Sequence, residues 1–235
     1  MEKKFELTEN YVVNEFGTKL YQIKCTKTFE YAKKGELGGF IEKEENLSQE
    51  GDAWVSDNAQ VSGNARVSDN ARVYGNARVY DDARVFGNAW VYDDARVFDD
   101  AQVFVNARVF GDAWVYGDAR VYGDARVFGD AWVSGDARVF GNAQVYGNAR
   151  VSGNACLKSD ADHCGFDCFG SSNRHTHAYL TSDNTVEITC GCFRGSIGEF
   201  EKRVKNTHAG TVYENQYNAI INVIKIKFGL DETSK

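Results

Sequence analysis

The sequence predicts an all-β solenoid: a left-handed parallel β-helix of six triangular coils, with a small N-terminal cap and an α+β C-terminal cap. Three observations predict it. Alanine recurs at every sixth position from Ala53 to Ala155, valine follows two residues after each alanine from Val55 to Val151, and no insertion breaks the 18 units. Leu157 fills the last valine slot.

Each unit, such as GNARVY at 75–80, reads as a short Ala-x-Val-x strand followed by a two-residue corner of Gly or Asp and then Asn or Asp. Side chains alternate across a strand, so alanine and valine share one face. That face points inward, because nothing else in the unit could build a core. Gly, Asn and Asp suit the positive φ of tight corners. Three units close one coil, and at ~4.8 Å per coil six coils make a prism roughly 29 Å long. Residues 51–158 are the repeat, with 1–50 before it and 159–235 after it as the caps that an open solenoid needs.

The ends have their own patterns. YVVNEF and LYQIKC flank Gly17 as a small hairpin. TVEITCGCF reads as one strand, with Cys190 and Cys192 on the same side. Ser196 and Glu199 form a capping box that opens a helix with Ile197, Phe200 and Val204 on one side. A second helix, 214–228, carries Tyr217, Ile220, Ile221, Ile224 and Phe228 at helical spacing and stops at Gly229.

An aliphatic residue followed four positions later by a small one, as Val55 is by Ala59, resembles the hexapeptide-repeat family of left-handed β-helices. The lead-in KKGELGGFIEKEENLSQEGDAWV resembles that of hexapeptide-repeat proteins in bacterial genomes and prophages, some labelled polymer-forming cytoskeletal or acyltransferase-like. The stretch from GSSNRHTHAYL to GEFEKRV is similar to a small domain of phage and mobile-element proteins from Gram-positive bacteria. These resemblances imply a phage accessory role, one that interferes with a host protein.

Function is expected on the outward positions. Stacking by 18 residues places Tyr74, Tyr92, Phe110, Phe128 and Tyr146 in one unbroken aromatic column on the first face, beside Trp90, Arg108 and Arg126. Within the chain such a column stabilises neighbouring coils. A stripe of this size also exceeds what a monomer normally exposes, which marks an interface. Asp82, Asp100, Asp118 and Asp136 form an acidic edge, and Asp94, Asp112 and Asp130 a second. Each carboxylate is expected to accept turn N–H bonds and pair with a nearby arginine. Divalent cations held between rungs, or imitation of a phosphate backbone, are the sharper readings of those edges.

The net charge of −7 and pI near 5.2 argue against a generally basic nucleic-acid binder. The start, MEKKFELTEN, has no apolar signal region, and no apolar run is long enough for a membrane helix, so a soluble cytoplasmic protein without membrane contact is expected. The six cysteines then read as free thiols or metal ligands. His163, Cys164, Cys168, Cys190 and Cys192, with His175 or His177, are weak zinc candidates, because C-x3-C and C-x-C match the usual spacings poorly.

No catalytic residue, cofactor or resident metal is expected. The protein reads as a rigid, non-catalytic scaffold whose partner is itself, as a homo-oligomer, or a host protein. Two alternatives stand beside this. One is a binder of nucleotides or nucleic acid that stacks bases on the aromatic and arginine faces. The other is an acyltransferase of the hexapeptide-repeat kind, which predicts coenzyme A binding and dependence on His163 or His175. The repeat itself contains no histidine and no projecting loop.

Overall fold

The computed structural model describes residues 3–230, so Met1 and Glu2 of the N-terminal stretch lie outside it. Strands β1 (Phe5–Val13) and β2 (Lys19–Cys25) form an antiparallel hairpin that turns at Gly17, where φ is +81°. Strand β3 (Leu37–Ile41) pairs antiparallel with β2. Two-residue strands then recur every six residues, from β4 (Trp54–Val55) to β21 (Cys156–Leu157). Each pairs in parallel with the strand 18 residues away, as Val91 does with Val73 and Val109. Three parallel sheets result, and they are the three faces of the prism.

The inward residues are sealed. The repeat alanines and valines, with Leu157, line one continuous buried core. Core and corner explain each other: a narrow triangular coil admits only Ala and Val inside, and its corners demand left-handed backbone. Glycine supplies that backbone at Gly111, where a Cβ would stand 2.9 Å from Gly129 N. Asp supplies it at Asp57, Asp69, Asp81, Asp93 and Asp99.

Stacking begins earlier than the alanine repeat. The Phe40 and Glu42 N–H groups donate to the Ala59 and Val61 carbonyls at 2.9 and 3.0 Å, and Leu47 bridges Val67, so residues 40–48 form part of a seventh coil. Its period differs from the repeat: Ile41 aligns with Val61 at a spacing of 20 rather than 18 residues.

Both ends of the stack are closed according to backbone polarity. At the alanine, valine and corner carbonyls each coil accepts from the one before it, as Ala71 O does from Trp54 N and Val73 O from Ser56 N, so the first coil presents chiefly carbonyls and the last chiefly N–H groups. Donors cover the first end. Lys4 Nζ reaches Ala53 O at 2.8 Å, and Asn46 Nδ2 reaches Ala65 O at 2.9 Å. Carboxylates serve the last end: Asp160 accepts from Gln144 N and Asp162 from Lys158 N, each at 2.7 Å.

The C-terminal segment is an antiparallel sheet of β22 (His163–Phe169), β23 (Arg174–Leu180), β24 (Val186–Cys190) and β25 (Phe193–Ser196). Helices α1 (Ile197–His208) and α2 (Val212–Lys227) pack on it around a second core that includes Ile188, Phe200, Tyr217 and Ile224. The Ser196–Glu199 capping box is present, and Thr211 caps α2, which begins at Val212, two residues before the expected start. TVEITCGCF is not one strand. Gly191, at φ +60°, breaks it into the β24–β25 hairpin, which buries Cys190 and exposes Cys192. No helix among the described residues is long and apolar enough to cross a membrane.

Candidate functional site

The first face carries two outward columns on each coil. On one side Tyr74, Tyr92, Phe110 and Phe128 stack with ring centroids 4.9 Å apart and planes within 3°, and Tyr146 continues the column at 5.4 Å. Each ring covers its neighbours' faces, so only Tyr146, 55% exposed at the end of the column, is largely open. Burial raises the phenol pKa of both Tyr74 and Tyr92.

The other column alternates ring and cation from Trp54 to Arg108 and continues with Arg126 and Gln144. The Arg72 guanidinium lies 4.7 Å from the Tyr31 ring centroid and 5.3 Å from that of Trp90, and Arg108 lies 4.7 Å from Trp90 on the opposite side. Tyr31 comes from the N-terminal cap, so the cap also shapes this face. Trp90, Arg108 and Arg126 line a shallow groove of about 370 Å³ with Tyr31, Asn88, Asn106 and Asp124. Asn88 donates to Asn106 at 3.2 Å and Asn106 to Asp124 at 3.0 Å, a ladder along the groove's corner. The alanine and valine period singled out the faces but not Tyr31 or this ladder.

Val105 stands beside that ladder. Its φ is +65° at a corner position that elsewhere in the repeat holds glycine or aspartate, and its side chain is 45% exposed. A β-branched residue in left-handed backbone is strained, and burial does not offset the strain here. Its break in the Gly/Asp rule was the sequence signal for this position.

The acidic edge differs from expectation. Asp82 accepts from Asn64 at 3.2 Å, but Asp100, Asp118 and Asp136 are exposed, with no hydrogen-bond or ion-pair partner among the described residues. The turn N–H bonds go instead to aspartates one position earlier in the corner: Asp69 accepts from Gly87 N at 2.9 Å and Asp99 from Gly117 N at 3.0 Å. Arginines rise from the middle of each face, and Arg72, Arg96, Arg108 and Arg150 lie over rings rather than reaching a corner carboxylate. The repeat arginine that pairs with a carboxylate is Arg78, and its partner is Glu15 of the N-terminal hairpin, at 2.8 Å.

The weak metal candidates are divided. His163 and Cys164 border one cleft, Cys190 and Cys192 another, and Cys168 is exposed. No group of three or more His, Cys, Asp or Glu side chains among the described residues could hold one ion. The first cleft, of about 320 Å³, does gather His163, His175 and His177 with Asp160 and Asp167. His177 Nδ1 donates to Arg150 O at 3.3 Å, so its Nε2 accepts from His163 Nδ1 at 3.0 Å. Burial pushes His177 down to about 3 and also lowers His163. His175 Nδ1 lies 2.6 Å from Asp167 Oδ1, and the Nε2 atoms of His163 and His175 are buried without a hydrogen-bond partner, the former 3.9 Å from Asp160 Oδ1.

Among curated proteins none matches the chain. The family described as "YdcK Beta solenoid repeat" matches it at residues 59–75, 65–79, 71–87, 77–93, 119–135 and 143–157. Those matches lie within the stacked coils, and together with them they make this chain a β-solenoid repeat protein.

Proposed function

We propose that the protein is a non-catalytic scaffold whose first face pairs with a second copy of the same chain. Val105 carries this reading: a strained, exposed apolar side chain beside an arginine groove is retained for contact rather than for folding. The face is self-complementary. Along each coil it runs from the Val105 corner through the arginine column to the aromatic column and then to the corner of Asp94, Asp112 and Asp130. In a two-fold pairing with parallel prism axes, each arginine column falls over the partner's rings and acid corner.

Light scattering during size-exclusion chromatography, across protein concentration and salt, tests this. A dimer that weakens with salt and with Phe110→Ser or Phe128→Ser is expected. A monomer under every condition overturns it and leaves the face to a foreign protein. The resemblance to prophage-borne hexapeptide-repeat proteins favours a host protein in that case.

A second reading rests on the His175–Asp167 pair. The Asp167 carboxylate orients one imidazole nitrogen of His175 and the residue lines a cleft, an arrangement that general bases share once the other nitrogen, buried here, is uncovered. This supports the acyltransferase alternative. Coenzyme A binding that is lost in His175→Ala is its test, and no binding by the full chain removes it.

A further inference from the structure

A second cleft in the C-terminal segment, about 270 Å³, lies between the start of β23 and the end of α1. Its lining is one-sided in charge. Arg174 and Arg203 border it, Ser171, Ser172 and Thr207 add hydroxyls, and no carboxylate contributes, although the chain as a whole carries −7. Neither arginine has an ion-pair or side-chain hydrogen-bond partner among the described residues, so both guanidinium groups keep their donors for something else.

The floor is aromatic. Phe193 and His208 are its half-buried rings; they rest on the buried Phe200 and Tyr217, which meet edge to face at 5.6 Å, with Phe193 5.1 Å from Phe200 and His208 stacked on Tyr217 at 5.5 Å. Burial, and then the Cys190 thiol, push Tyr217 up to about 12, which keeps its hydroxyl protonated as a donor. The carbonyl at the end of α1, His208 O, accepts from Thr211 N and Oγ1, which offsets the negative helix terminus near the cleft.

We propose that this cleft binds a small organic anion, a phosphate or carboxylate carried on a flat apolar body. The paired guanidinium groups take the anion, in the forked geometry that arginine offers to such oxygens, and the rings take the body. The volume lies just below the usual range of drug-sized pockets, which suits a ligand of one ring.

The test uses the full chain with phenyl phosphate and benzoate as probes, followed by calorimetry and by chemical-shift changes at low salt. Saturable binding is expected, with inorganic phosphate alone and benzyl alcohol alone each weaker. Arg174→Gln and Arg203→Gln each weaken it about tenfold or more. Arg120→Gln, an exposed change on the solenoid, leaves it unchanged. Both cleft arginines are exposed, so unchanged circular dichroism and melting separate lost binding from lost folding. No saturable response to either probe, or a response undiminished in both cleft variants, overturns the proposal.

Discussion

Lys4 Nζ donates to the carbonyl oxygen of Ala53 across 2.8 Å, and this one ammonium does for the first face what a further coil would do with a backbone N–H. The side chain is 1% exposed, and burial lowers it to about 8, so it remains mostly charged at neutral pH. Lys4→Met keeps the apolar stem but strands the carbonyls. The expected loss is about 1–3 kcal/mol, read as a lower denaturant midpoint at unchanged slope.

Val105→Gly is expected to stabilise the fold. Relief of strained left-handed backbone outweighs the added freedom of the unfolded chain, for a net gain of about 1 kcal/mol and a higher Tm. If Val105 is kept for pairing, the same variant associates less tightly in light scattering. Gly111→Ala is the mirror experiment. At φ +68° its new Cβ meets Gly129 N at 2.9 Å, so Tm falls.

Acid should loosen the C-terminal end. His163 and His177 have folded pKa values below the ordinary histidine value of 6.5, so the unfolded chain takes up protons first as pH falls. Stability is therefore complete above about 6.5 and declines below it; for His177 the decline continues to about 3. Between pH 7 and pH 5, His177 alone accounts for a loss of about 2 kcal/mol. Melting curves across that interval check this, and His177→Gln should flatten the slope even if it lowers the absolute Tm.

Phe110→Ser removes a ring stacked at 4.9 Å on both Tyr92 and Phe128. Two stacked pairs are lost, for about 1–3 kcal/mol in the monomer. Denaturant unfolding at dilute concentration isolates this effect from any effect on association.

The coils were legible because each unit obeys the same local rule as the whole: small apolar residues inside, left-handed corners outside. The capping box at Ser196 and the helical spacing through Ile224 were legible for the same reason. Strands β22 and β23 were not, because their inward side is built from His163, His177 and Tyr179, which carry no simple apolar alternation. Cys192 misled because Gly191 turns the chain where the pattern runs on. The columns of the first face followed from period alone, whereas the groove over them needs Tyr31, which lies far outside the repeat and arrives by the fold of the cap.

The 18-residue register has a consequence for how such a chain can change length. Excising residues 87–104 removes one full coil, rejoins each column to itself and shortens the prism by a single rung. Excising only six residues turns everything beyond the cut by a third of a revolution, so the C-terminal sheet docks over a different face. The molecule is thus a ruler with one permitted graduation, and recombination between its own near-identical coils can lengthen or shorten it without rewriting either end.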